Sequence, residues 1–127
     1  MAIKKKKRVF ISFDFDKDQD LKNLLIGQSK LPDSPFDVID GSLKEAAPNK
    51  DWMERAKSKI KDADAVIVML GTNTFKAPGV LKEVKMAKQL EVKIHQIIGY
   101  QDKDCPGIKG VGVLYDWTWD NLRALFA

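Results

Sequence analysis

The chain carries one cysteine and one histidine in 127 residues. With Cys105 alone no internal disulfide can form, and a reducing, cytoplasmic compartment is expected. Long apolar runs are missing. The longest, Ala65 to Leu70, is six residues, whereas a membrane-spanning helix needs about 20. No glycine-rich loop follows the first strand-like segment, which excludes a P-loop and a dinucleotide fingerprint. The run Gly107-Ile108-Lys109-Gly110-Val111-Gly112 has the wrong spacing and follows no strand directly. No serine or cysteine sits in a nucleophile elbow. A calcium loop starting at Asp14 fails as well, because its sixth and twelfth positions hold Gln19 and Leu25 instead of Gly and Glu. His95 lies mid-strand and reads as a core or face residue. Cys105, beside Pro106, reads as an incidental loop thiol. No metal-ligand set emerges.

What is present fits one domain. Hydrophobic residues make up 44% of the chain, enough for a core at this length. The net charge of +4 is concentrated at one end, since five of the 22 basic residues occupy positions 4 to 8. The remaining 17 basic side chains face 18 acidic ones, so the body of the domain is nearly neutral. Residues 1–7 are expected to form a basic, solvated tail, and neither nucleic acid nor a membrane is an expected partner. The apolar residues after the lysine run are of strand length, unlike a signal-peptide core.

Five apolar runs alternate with amphipathic segments. Arg8 to Phe13 reads as a strand. Asp18 to Lys30 reads as a helix, with Leu21, Leu24 and Leu25 on one face and Asp16 or Asp18 as its cap. Phe36 to Asp40 is a second strand. Pro48 and Asn49 announce a helix whose Trp52, Met53, Ala56 and Ile60 share a face. Ala65 to Leu70 is continuously apolar and β-branched, the pattern of a strand buried on both sides. Gly71 to Gly79 is a polar loop, Val80 to Leu90 a helix and Ile94 to Gly99 a strand. A loop over Gln101 to Gly112 leads into a short strand, Val111 to Tyr115, and Thr118 to Phe126 closes the chain as a helix. Strand and helix alternating in this way predict a flavodoxin-like α/β sandwich, its five-stranded parallel sheet in the order 2-1-3-4-5. Ligands of such sheets bind beyond the carboxyl ends of the strands, between strands one and three. That point falls at Phe13 to Asp16 and Gly71 to Thr74.

Two features carry candidate chemistry. Asp14-Phe15-Asp16, directly after the first strand, is similar to the nucleophile motif of haloacid-dehalogenase-type phosphatases, with Thr72, Asp102 and Asp104 as loose echoes of later motifs. The residue two after Asp16 is Asp18, where that family prefers Thr or Val. Glu83 is the more informative feature. On a wheel of about 100° per residue with Val80 at zero, Glu83 falls at about 300°, between Ala87 at about 340° and Leu90 at about 280°. Its carboxylate therefore faces the apolar side, where solvation is lost unless something compensates. A boundary glutamate paired with Lys17 or another cation is the alternative reading.

Three stretches carry a family resemblance. They are Lys7-Arg8-Val9-Phe10-Ile11-Ser12-Phe13, then Ala63 through Thr74, then Val80-Leu81-Lys82-Glu83-Val84-Lys85-Met86-Ala87. In this order and spacing the chain, over residues 8–127, resembles a TIR-like domain of the bacterial branch found in Thoeris anti-phage defence. The third stretch is similar to the helix that bears the family's catalytic glutamate. At the position four before it, where the family has an aromatic residue, this chain has Gly79.

The resemblance implies cleavage of the nicotinamide–ribose bond of NAD, with NAD as substrate and no cofactor. Nicotinamide leaves a cationic pyridinium as a neutral molecule and needs no general acid, so one carboxylate can suffice. The implied catalytic residue is Glu83, holding the oxocarbenium-like ribose by charge and hydrogen bonds. Phe13, Asp14, Ser42 and Thr72 would line the substrate pocket. The implied product is an ADP-ribose-derived signal molecule sensed by a separate effector, and the implied active form is a homo-oligomer. The non-enzymatic alternative is a TIR-type interaction module.

Overall fold

The structure is a computed structural model that describes residues 6–39 and 50–126. Ten elements follow in order: β1 (Lys7–Ser12), α1 (Gln19–Ser29), β2 (Phe36–Val38), α2 (Lys50–Lys61), β3 (Ala65–Leu70), a 3-10 turn (Thr74–Lys76), α3 (Pro78–Gln89), β4 (Lys93–Ile98), β5 (Leu114–Asp116) and α4 (Trp119–Phe126). The five strands form one sheet in the order β2-β1-β3-β4-β5, and every pairing is parallel. This is the flavodoxin-like α/β sandwich that the alternation predicts.

β3 lies at the centre, and all six of its residues are buried. Strand alternation sends Val66, Val68 and Leu70 to one face and Ala65, Ile67 and Met69 to the other. The first face meets Trp52, Ala56 and Ile60 of α2 and Val80, Val84 and Ala87 of α3. The second meets Leu21 and Leu25 of α1 and Leu122 and Phe126 of α4. No helix among the described residues is long and apolar enough to cross a membrane.

Several boundaries move from the sequence reading. Lys7, placed there in the basic tail, is the first residue of β1. β5 starts at Leu114, not Val111, because Gly110 and Gly112 take positive φ values of 79° and 107° and keep the chain turning. Fully buried Gln96 fixes that loop from below. Its side-chain carbonyl accepts the Ile108 amide at 2.6 Å, and its NH2 donates to Gly112 O at 3.2 Å. α3 begins at Pro78, a first-turn proline that lacks only an amide hydrogen the helix would leave unpaired. The expected start of α2 at Pro48 and Asn49 lies outside the described residues. Cys105 is buried in the α2/α3 core and is not a loose loop thiol.

The apolar stripes are narrower than the helical pattern alone suggests. Leu21 and Leu25 are buried, yet Leu24, one position aside, is 60% exposed. Met53 likewise sits at the rim while Trp52, Ala56 and Ile60, at strict four-residue spacing, are covered. Leu25→Ala should therefore cost about 2–5 kcal/mol, and Leu24→Ala no more than about 0.5 kcal/mol. Urea unfolding midpoints of the two variants check this, and equal losses would show that α1 does not pack in this register.

Candidate functional site

Ser12 ends β1 and, by alternation with Phe10, points to the α2/α3 face. It is fully buried beside Val68 of β3. α3 crosses above it, and Val80, Glu83, Val84, Met86 and Ala87 form the helix's buried side. The helical wheel thus placed Glu83 correctly: it is 8% exposed. Its partner is not a cation but the Ser12 hydroxyl, which donates to Oε1 at 2.6 Å. Burial pushes the Glu83 carboxyl from an ordinary value of 4.5 up to about 8, and the Ser12 hydrogen bond offsets only part of that.

The position four before Glu83 has no side chain, yet it is not bare. A Cβ at Gly79 would stand 3.8 Å from Cη2 and Cζ2 of Trp52. The indole from α2 therefore lies over Gly79.

A second carboxyl group is set into the same strand edge. Asp18 occupies the N-cap position of α1 but makes no side-chain cap bond. It turns inward, 4% exposed, under the end of β3. The Tyr100 hydroxyl lies 3.1 Å from Asp18 Oδ1 and 3.0 Å from Asp20 Oδ1, with one proton to donate between them. Thr74 Oγ1 stands 3.4 Å from Asp18 Oδ2 and accepts the Gly71 amide at 2.7 Å. Burial raises the Asp18 carboxyl above its usual value, against the lowering effect of the Tyr100 and Thr74 bonds, and the charges of Asp14 and Asp20 add to the rise. Position 71 must be glycine here, since a Cβ would run into the Asp18 carboxylate.

The other sequence-predicted site residues scatter around this edge. Phe13 is half-buried on the α1 side of the sheet, its ring 5.8 Å from that of Phe15 and beneath the Lys22 ammonium at 5.6 Å. Asp14 shapes its own loop: Oδ1 accepts the Asp16 amide at 3.3 Å, and its carbonyl accepts the amides of Lys17 and Asp18. Thr72 is exposed, and its hydroxyl accepts the Asn73 side-chain NH2 at 3.2 Å. Ser42 lies outside the described residues, as does the Gly41–Pro48 loop. Among the described candidates, Glu83 alone has a buried side chain hydrogen-bonded to a second buried side chain.

Sequence reasoning placed Thr74 at this edge but singled out neither Ser12 nor Tyr100, and took Asp16 or Asp18 for a cap. Ser12 was legible in principle as a lone hydroxyl in phase with apolar Phe10. Tyr100 carried no local signal, because its partners lie 80 and 82 positions away. Among the described residues no group of three His, Cys, Asp or Glu side chains is placed to hold a metal ion. His95 is half-buried between the rings of Tyr115 and Phe126, both edge-on.

The family model described as Thoeris protein ThsB, TIR-like domain, matches residues 10–104. Among curated proteins, none matches the chain. Solved structures share the fold at low identity. A CMP N-glycosidase of Clostridium botulinum, BcmB, is 18% identical with a TM-score of 0.58, over 94% of this chain and 97% of that one. The TIR domain of the Toll-related receptor TRR-2 of Hydra magnipapillata is 19% identical with a TM-score of 0.61, over 93% and 90%. A prokaryotic SEFIR domain is 17% identical with a TM-score of 0.52, over 94% and 86%.

The raised carboxyl of Glu83 has a measurable effect on stability. The unfolded chain ionises Glu83 near 4.5, while the folded chain keeps its proton to about 8. The stability given by the neutral buried group is complete below the lower value, falls as pH rises, and is lost above the upper one. Glu83→Gln should remove that slope and stabilise the fold by about 2–5 kcal/mol near pH 9, with little change near pH 4. Denaturant unfolding across this range checks it, and parallel pH profiles for parent and variant would refute the burial of an ionisable Glu83.

Proposed function

Because the chain belongs to the family of the Thoeris protein ThsB TIR-like domain, we propose that it cleaves the N-glycosidic bond of a nucleotide, with NAD as the substrate and Glu83 as the catalytic residue. The observation that carries this reading is a single carboxyl group buried on an apolar helix face and held by Ser12 at 2.6 Å. Such a group costs the fold stability, and a site that needs one preorganised charge explains its retention. The nicotinamide–ribose bond breaks toward a neutral leaving group and a cationic ribose. An anion beside that ribose lowers the barrier, and ribose hydroxyls can donate to it. The arriving pyridinium cation itself favours ionisation of Glu83, so binding at neutral pH should release a proton. Phe13, Asp14, Ser42 and Thr72 remain the proposed substrate-lining residues. An ADP-ribose-derived signal in anti-phage defence, read by a separate effector, is the proposed output.

A second reading follows from the same proton. A neutral base such as cytosine leaves poorly unless it is protonated, and a carboxyl that stays protonated to about pH 8 could donate that proton. A structural neighbour is named a CMP N-glycosidase, which makes CMP the substrate to compare. The two readings differ in sign. NAD cleavage needs the carboxylate, so kcat/KM should rise with pH to a plateau above about 8. Cleavage of a neutral base by the acid form should fall over the same range.

Glu83→Gln keeps the shape and removes the charge, and NAD cleavage should drop by at least about 10²-fold in a protein that remains folded. Nicotinamide release measured by chromatography, with circular dichroism alongside, tests this. Unchanged turnover in folded Glu83→Gln protein would exclude the assignment, and an interaction module would release nothing at any pH.

The active form is proposed to be an assembly. NAD is long, and small-molecule sites bury most of their ligand, so a second protomer would supply a missing wall. Specific activity should then rise with protein concentration over about two decades, together with light scattering. Strict proportionality from a monomer would show that one domain builds the whole site.

A further inference from the structure

The amino ends of the parallel strands meet at the edge of the sheet opposite Ser12. Register sets Val9, Ala65 and Lys93 side by side. Lys7 and His95 each lie two residues along from this row, hence on the same face. The last turn of α4 closes over them, with the Phe126 ring 5.6 Å from that of His95. Between them lies a pocket of about 310 Å³, at the small end of the range for ligand sites.

Four charged side chains line this pocket: Lys7, Lys93, Asp64 and Glu91. None forms an ion pair with a described residue. Asp64 uses one carboxylate oxygen to accept the Arg8 amide at 2.8 Å. Glu91 lies just past the Leu90 cap of α3 in the left-handed turn, φ 58°, that closes the helix, its amide donating to Lys88 O and that of Val92 to Ala87 O. Burial, and after it the nearby Lys93, pushes the His95 imidazole below its ordinary value, which disfavours a charge there. Among the described residues the lining sets two cations, Lys7 and Lys93, against two anions, Asp64 and Glu91, with Val92, Leu125 and Phe126 as an apolar wall.

That balance selects a class of ligand. A simple anion would meet two carboxylates as well as two ammonium groups, and a simple amine would meet the reverse. A zwitterion with an apolar body satisfies both pairs and the wall. We propose that this pocket binds a free amino acid with an aromatic side chain, its carboxylate facing Lys7 and Lys93, its ammonium facing Asp64 and Glu91, and its ring against Leu125 and Phe126. The site is separate from that of Glu83 and does not depend on the reaction proposed there.

The test is a titration of the full chain with L-phenylalanine, followed by backbone amide NMR. 3-Phenylpropionate and phenethylamine, each lacking one of the two charges, are the comparison ligands. L-Phenylalanine should give saturable shifts at Ala65, Val92 and Lys93 with a dissociation constant of about 1 mM or tighter. Each comparison ligand should bind at least about fivefold more weakly. Lys93→Gln and Glu91→Gln change exposed side chains, so the fold should survive, and each should weaken L-phenylalanine by at least about threefold. The proposal is overturned by an absence of saturable shifts up to about 20 mM, by equal binding of all three compounds, or by affinity unmoved in both variants. Shifts confined to the Ser12 edge would also overturn it.

Discussion

One hydrogen bond sits where the fold and the candidate chemistry meet: the Ser12 hydroxyl on the Glu83 carboxyl. The α2/α3 face of the sheet is otherwise an apolar surface built by Phe10, Val66, Val68 and Leu70 against Trp52, Val80 and Val84. A carboxyl group within that surface has lost most of its water, and one hydroxyl donor does not replace it. The imbalance appears as a carboxyl that holds its proton to about pH 8. It can be relieved by a cationic ligand, which favours the ionised form.

Everything around the pair serves to keep it in place. The fully buried β3 pairs with β1 and sets Ser12 beside Val68, on the face that α3 covers. Trp52 lies over Gly79, one residue before the buried side of α3 begins at Val80. On the far side of the same edge, Asp18 ties the start of α1 to the ends of β3 and β4 through Thr74 and Tyr100. Asp18 stands among acidic neighbours and two hydroxyl donors, while Glu83 has an apolar wall and one hydroxyl. Two carboxyl groups at one strand edge thus sit in different environments.

The sheet also separates its two ends by chemistry. Among the described residues the carboxyl end gathers Ser12, Glu83, Asp18 and Tyr100, with the ammonium groups of Lys22 and Lys103 over the rings of Phe13 and Tyr100, and the amino end places Lys7 and Lys93 near Asp64 and Glu91. Parallel pairing produces this separation, because every strand delivers its first residues to one edge and its last residues to the other.

Sequence alone determined the layer order, the buried central strand and the inward face of Glu83. These follow from local periodicity: a six-residue apolar run can only be buried on both sides, and a 3.6-residue repeat fixes which way a helical side chain points. The likeness of three stretches to a TIR-like family was legible as well, and all three fall within or overlap the residues 10–104 matched by the family model. What periodicity could not supply was the partner of each polar group. It offered Lys17 or another cation for Glu83, and the tertiary structure placed Ser12, 71 positions away, instead. It read Asp18 as a helix cap, and the fold drew that carboxylate toward Tyr100, 82 positions on. Strand and helix directions are set by neighbours along the chain, whereas buried hydrogen bonds are settled by whichever donors the packed core leaves within about 3 Å, and that choice belongs to the tertiary structure.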